Sequence, residues 1–131
     1  MIPYTLPPAE REAWLFIHHP EAYACLCYMV DEFLDPLRAI LNAPIFVNSG
    51  FRTNLLNIEV GGVCNSKHKI GCAVDITCNP SLMNKLLRHI RIRCDLNRLF
   101  TFIHYPSRNF IHVQFNPTPE ILVEVRRLYL D

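Results

Sequence analysis

A chain of 131 residues amounts to one domain, and 50% hydrophobic against 19% charged residues supplies a core and excludes disorder. With 13 basic and 12 acidic residues the net charge is +1, which leaves no broad basic surface for a phosphate backbone; nucleic acid is not an expected partner. No run approaches the roughly 20 apolar residues that span a bilayer, so no membrane span is expected.

The chain opens on a proline-flanked arm with Pro3, Pro7 and Pro8, followed by a short helix over residues 10–17; residues 1–19 read as an N-terminal arm. Its first stretch lacks the basic-then-apolar pattern of a secretory signal. Pro20 suits the first turn of a longer helix, along which Ala22, Leu26, Met29, Val30, Phe33, Leu37, Ile40 and Leu41 recur at helical spacing. Pro36 has no backbone N–H to donate, so a kink or split is expected near Leu34 and Asp35. Asn42-Ala43-Pro44 then ends the helix.

Residues 45–48 are β-branched and aromatic between breakers and read as a strand. Thr53 is placed to cap a short helix through residues 56–60, which Gly61-Gly62 stops. Residues 63–71 read as a loop and 73–77 as a second strand. Pro80 and Ser81 open another helix, with Leu82, Leu86, Leu87 and Ile90 on one face. Strands at 99–105 and 110–115 form a hairpin through Pro106-Ser107-Arg108-Asn109, and Pro119 starts a last helix to about residue 129. Helices and strands do not strictly alternate. The expected class is therefore α+β, a small and mainly antiparallel sheet of about four strands flanked by helices, with residues 1–131 as a single domain.

Six cysteines, at 25, 27, 64, 72, 78 and 94, would suit a disulfide framework in a shorter secreted chain. Here the core needs no staples and no secretory signal is read, so reduced and mostly packed thiols are expected. The absence of Cys-x-x-Cys argues against a zinc ribbon. Cys72 and Cys78 fall on the strand face opposite Asp75 and should pack against helices, while Cys25 and Cys27, two apart, cannot both face the core. His18-His19 reads as an exposed helix end and His89 as a partly exposed helix position.

Three residues break the apolar pattern of this second half. His68 sits in a loop beside Gly71, Asp75 interrupts the strand Ala73-Val74-Asp75-Ile76, and His112 interrupts Phe110-Ile111-His112-Val113. A bare carboxylate in such a strand is costly to bury, and polar groups set against the pattern mark places where function overrides local rules. Two imidazoles and one carboxylate make a three-ligand zinc site with the fourth position open to water. On spacing alone a second reading stands beside it: Asp75 makes buried hydrogen bonds and His112 is a satisfied core histidine.

The segment Ser66-Lys67-His68-Lys69-Ile70-Gly71-Cys72-Ala73-Val74-Asp75 resembles the Ser-x-His-x-x-Gly-x-Ala-x-Asp signature of the zinc D-alanyl-D-alanine carboxypeptidases. That family includes L-alanyl-D-glutamate endopeptidases of phages and shares its fold with the hedgehog signalling domain. Val47-Asn48-Ser49-Gly50-Phe51-Arg52 resembles its Ser-Gly-Tyr/Phe-Arg strand end, Val60-Gly61-Gly62-Val63 its connecting turn, and Phe110-Ile111-His112-Val113 its last Trp-x-His strand. The four motifs run in consistent order over about residues 34–115. The resemblance implies zinc (Zn2+) held by His68, Asp75 and His112. It also implies Arg52 on a substrate carboxylate or developing anion, and Ser66 donating a hydrogen bond nearby.

One position departs from the family pattern. Catalytic members carry an acid three residues before the last histidine, and here that residue is Asn109, which cannot accept a proton. In a shorter branch the acid lies at the end of the preceding strand, a place that by resemblance falls on Phe102. After Asp75 the acids are Asp95, Glu120, Glu124 and Asp131, none at a family position. His104 is the expected substitute base, since an imidazole titrates near neutrality, with Asp95 second.

The resemblance thus implies a zinc-dependent peptidase acting on the stem peptides of bacterial peptidoglycan, as a D-Ala-D-Ala carboxypeptidase or an endolysin-like endopeptidase. A monomer made in a bacterial or phage-infected cytoplasm and acting at the cell wall is expected. The alternatives are a catalytically silent zinc-binding domain of the same fold and, more distantly, a metal-free interaction module.

Overall fold

The computed structural model describes residues 8–131; residues 1–7 of the expected arm lie outside the described residues. Helix α1 (Pro8–His18) leads through His19 into α2 (Pro20–Met29), which Pro20 opens as its first residue. The apolar stripe then continues through a π-helical turn (Val30–Leu34) into α3 (Asp35–Leu41). The expected kink or split takes this form. A π turn bonds each N–H one residue farther back than an α turn, so the chain stays helical past Pro36 without the bond that proline cannot make. Asn42, at φ 51°, ends the rod in the left-handed region, which asparagine tolerates.

Strand β1 (Phe46–Ser49) is an exposed edge, one residue later than expected. Thr53 caps α4 (Asn54–Glu59) through its Oγ1, which accepts from the Leu56 N–H at 3.2 Å. The expected loop at 63–71 contains a 3-10 turn (Lys67–Ile70) before β2 (Ala73–Thr77). A second 3-10 turn (Pro80–Leu82) delays α5 to Met83–Leu96. Strands β3 (Phe100–Tyr105) and β4 (Phe110–Phe115) form the hairpin, and α6 (Pro119–Leu130), capped by Thr118, closes the chain.

The four strands form one antiparallel sheet in the order β1-β2-β4-β3. Alternation sends Val74, Ile76, Ile111, Val113 and Phe115 to one face, where they are almost fully buried. Helices cover that face: Phe33 of the π turn stacks on Phe100 (centroids 4.6 Å apart), which stacks on Phe115 (5.2 Å). Cys25, Cys72 and Cys78 join this core as free thiols, while Cys27 is only half-buried. The other face carries Asp75 and His112. No helix among the described residues is long and apolar enough to cross a membrane.

Candidate metal centre

Asp75 and His112 are direct cross-strand partners on β2 and β4, so their side chains rise from the same face side by side. His68 reaches them from the 3-10 turn, whose start is fixed by Ser66: its Oγ accepts from the His68 N–H at 3.2 Å. The turn ends on Gly71 at φ 73°, where a Cβ would also stand 2.5 Å from the Ala22 carbonyl oxygen of α2. Glycine is needed there on both counts.

His68 is 2% exposed. Its Nδ1 lies 2.7 Å from the Gly50 carbonyl oxygen, an atom that only accepts; Nδ1 therefore carries the proton and Nε2 offers a lone pair. That Nε2 lies 3.2 Å from Asp75 Oδ1, and His112 Nδ1 lies 2.9 Å from the same oxygen.

The tautomer of His112 is set from farther away. The Leu99 carbonyl accepts from Asn116 Nδ2 at 3.3 Å, so Asn116 turns its Oδ1 to Gln114 Nε2 at 2.7 Å. Gln114 then presents Oε1 to His112 Nε2 at 3.3 Å. His112 donates along this chain and keeps its Nδ1 lone pair for the centre. Metal-binding histidines are oriented by partners of this kind.

Two imidazoles thus turn their inner nitrogens to one carboxylate oxygen; when unprotonated, those lone pairs repel it until a cation, a metal ion or a proton, stands between them. His68 Nε2, Asp75 Oδ1 and His112 Nδ1 lie within 4.8 Å of one another, a group that could hold a metal ion. The donor set, two imidazoles and one carboxylate, suits zinc with a position left open. Where protons are the only cations, the hydrogen bond to Asp75 raises the pKa of His112, while burial opposes it. For Asp75 burial pushes upward, but hydrogen bonds from His112 and His68 outweigh it and hold the carboxyl well below the usual carboxylate range.

Arg52 reaches this group through Asp75: Nη2 donates to Asp75 Oδ2 at 3.3 Å. Nε donates to Ser49 Oγ at 3.0 Å and Nη1 to Asn57 Oδ1 at 3.3 Å. All three guanidinium nitrogens are therefore engaged within the protein.

A cleft of about 330 Å³ opens beside His112 and Gln114, with Ser66 and Lys67 along one wall and Ile103 and Tyr105 along the other. No carboxylate lines it among the described residues. A larger cavity, about 720 Å³, lies between α1, α2 and the β1–α4 connection and touches the centre only through its supports, Ser49, Gly50 and Arg52.

His68, Asp75, His112, Ser66 and Arg52 are thus brought together, and His104 is not. In the hairpin register Ile103 pairs with His112, and His104 pairs with fully buried Ile111. His104 consequently projects from the helix-covered side of the sheet, away from the cleft, so the structure does not bring the expected substitute base beside the three ligands. Asn109 sits in the left-handed region at φ 51° and donates from Nδ2 to Thr77 Oγ1 at 3.3 Å. Sequence reasoning missed Asn57, Gln114 and Asn116. Continuing the alternation two residues at a time from His112 would have put Gln114 on the same face.

The sequence model of Peptidase M15 matches residues 17–114. No curated protein and no solved structure matches the chain.

Proposed function

The chain belongs to the Peptidase M15 family, and from that premise we propose that it is a zinc-dependent peptidase hydrolysing stem peptides of bacterial peptidoglycan. The observation that carries this reading is the pair of imidazoles whose outward nitrogens are tied to acceptors, so that both lone pairs meet the Asp75 carboxylate beside an open cleft. His68 Nε2, Asp75 Oδ1 and His112 Nδ1 would hold the metal. Bound there, zinc supplies a Lewis acid for the scissile carbonyl and an acidified water.

This chain's own residues do the rest. Arg52 holds Asp75 by Oδ2 and so keeps Oδ1 turned to the imidazoles; it acts as a support in place of the substrate contact that the resemblance implied. The Ser66 hydroxyl accepts from the His68 N–H, which leaves its proton free for a substrate carbonyl in the cleft. Lys67 is the cation on the cleft wall, unpaired among the described residues and with no acid opposite. A cleft so charged favours a peptide that carries carboxylates, as stem peptides do.

The missing acid supports a second reading, a zinc-binding domain of the same fold that binds such peptides without cutting them. One experiment separates the two. Protein loaded with one equivalent of zinc is incubated with purified peptidoglycan and synthetic stem peptides, beside His68→Ala, and the products are weighed by mass spectrometry. The peptidase reading expects new termini that need both zinc and His68, and those termini name the bond. Zinc uptake with no cleavage across a broad pH range would leave the binding reading. Hydrolysis appearing only in Asn109→Asp would then locate the lost function at that position.

A further inference from the structure

We propose that Asn57 is a positioning residue of the metal centre, acting through Arg52, and that residue 62 is glycine to make room for it. The inference rests on the metal-binding reading above and concerns residues that reading leaves unassigned.

Asn57 and His68 are the two buried polar residues among those described, and Asn57 is only 1% exposed. An amide so placed is costly unless both its ends are used. Both are: Oδ1 accepts from Arg52 Nη1 at 3.3 Å, and Nδ2 donates to the Val63 carbonyl at 2.8 Å. No other side chain of this size supplies an acceptor to a guanidinium and a donor to a carbonyl at once. Aspartate lacks the donor and leucine lacks both.

Gly62 provides a second, independent observation. Its φ lies outside the left-handed region, so the backbone there does not require glycine. What excludes a side chain is space: a Cβ would stand 2.1 Å from Asn57 Oδ1, 2.8 Å from its Cγ and 3.1 Å from Arg52 Nη1. The Gly62 N–H also donates to the Asn57 carbonyl at 2.8 Å, which draws the turn over the amide. The close approach therefore serves the Asn57–Arg52 contact.

The mechanical consequence follows from the planarity of the guanidinium. With Nε on Ser49 and Nη1 on Asn57, the plane is fixed, and Nη2 can reach only Asp75 Oδ2. Releasing Nη1 lets the plane turn, and with it the Asp75 carboxylate whose other oxygen faces both imidazoles. Partners bonded directly to a ligand, as Arg52 is to Asp75, are typically worth about 10-fold to 100-fold in metal affinity; Asn57, one contact farther out, belongs at the lower end of that range.

The test is zinc affinity by competition with a chromogenic chelator on the full chain, together with the visible spectrum of the cobalt-substituted protein. Asn57→Leu keeps the heavy-atom count and removes both hydrogen bonds; about tenfold weaker zinc binding is expected. Gly62→Ala deletes no polar group and should weaken zinc in the same direction. In an Arg52→Met background either change should cost nothing further, because the path runs through Arg52. Unchanged zinc affinity in whichever of the two variants folds, or an undiminished loss in the Arg52→Met background, overturns the proposal. Failure of the unaltered chain to take up zinc would instead overturn the metal reading on which it stands.

Discussion

On β2, Val74 and Ile76 turn to one side of the sheet and Asp75 to the other; on β4, Ile111, Val113 and Phe115 part in the same way from His112 and Gln114. The residues are neighbours in sequence, yet the two faces are held by different physics. The helix-covered face is a matter of volume, with Phe33, Phe100 and Phe115 stacked and almost fully buried. The other face is a matter of direction. Hydrogen bonds start at main-chain carbonyls, at Gly50 for His68 and at Leu99 for the Gln114–Asn116 chain, and each fixes which nitrogen carries a proton. Apolar packing on one side can thus rigidify a polar array on the other without contributing a donor to it.

The difference predicts that substitutions on the two faces fail in different ways. The largest effect is expected from Phe100→Ala, which empties the centre of the aromatic stack. It should lower the unfolding free energy by about 3–5 kcal/mol, read from urea denaturation without metal. Zinc affinity of the folded fraction should be little altered. A loss below about 1 kcal/mol would mean that the stack closes over the cavity and that this face is not limited by volume.

Gln114→Leu makes the converse cut. It keeps an apolar body of similar bulk but breaks the chain that ties His112 Nε2 to Asn116. Zinc affinity should fall about 10-fold to 100-fold, while the unfolding free energy of the metal-free chain changes by about 1 kcal/mol or less. Chelator competition and denaturation on one preparation give both numbers. Loss of stability without loss of zinc affinity would erase the distinction between the faces.

What was legible in the sequence follows the same line. Strands β2 and β4 could be read because a polar residue in an apolar run is visible one position at a time, and Thr53 because a cap is a local bond. Pro36 marked the place of the helical irregularity; that it is a π turn rests on the Asp35 N–H reaching back to the Val30 carbonyl, a choice of main-chain partner that no side chain announces. Asn57 and Asn116 were not legible: no periodicity marks the turn that lays Arg52 and Val63 against Asn57, and Leu99 reaches Asn116 only across the hairpin. The peptide chemistry itself came from motif resemblance, because three ligands on separate elements have no periodicity of their own.

His104 is the instructive position, and it leads to the smallest expected effect. A four-residue connection at 106–109 pairs Tyr105 with Phe110, and counting back from that pair sets Ile103, not His104, beside His112. The parity of the hairpin alone puts His104 on the face opposite His112. Two adjacent substitutions test the geometry. Ile103→Ala alters a wall of the cleft and should raise the KM for a stem peptide by about tenfold, the order expected when apolar contact to a substrate is lost. His104→Ala lies behind the sheet and should leave zinc affinity and turnover within about twofold, as substitutions remote from a site do. A large loss of turnover in His104→Ala, with zinc affinity and stability intact, would mean that the imidazole reaches the cleft after all. The register of β3 against β4 would then have to differ by one residue from the one described, since a shift of one is what carries every side chain of a strand to its opposite face.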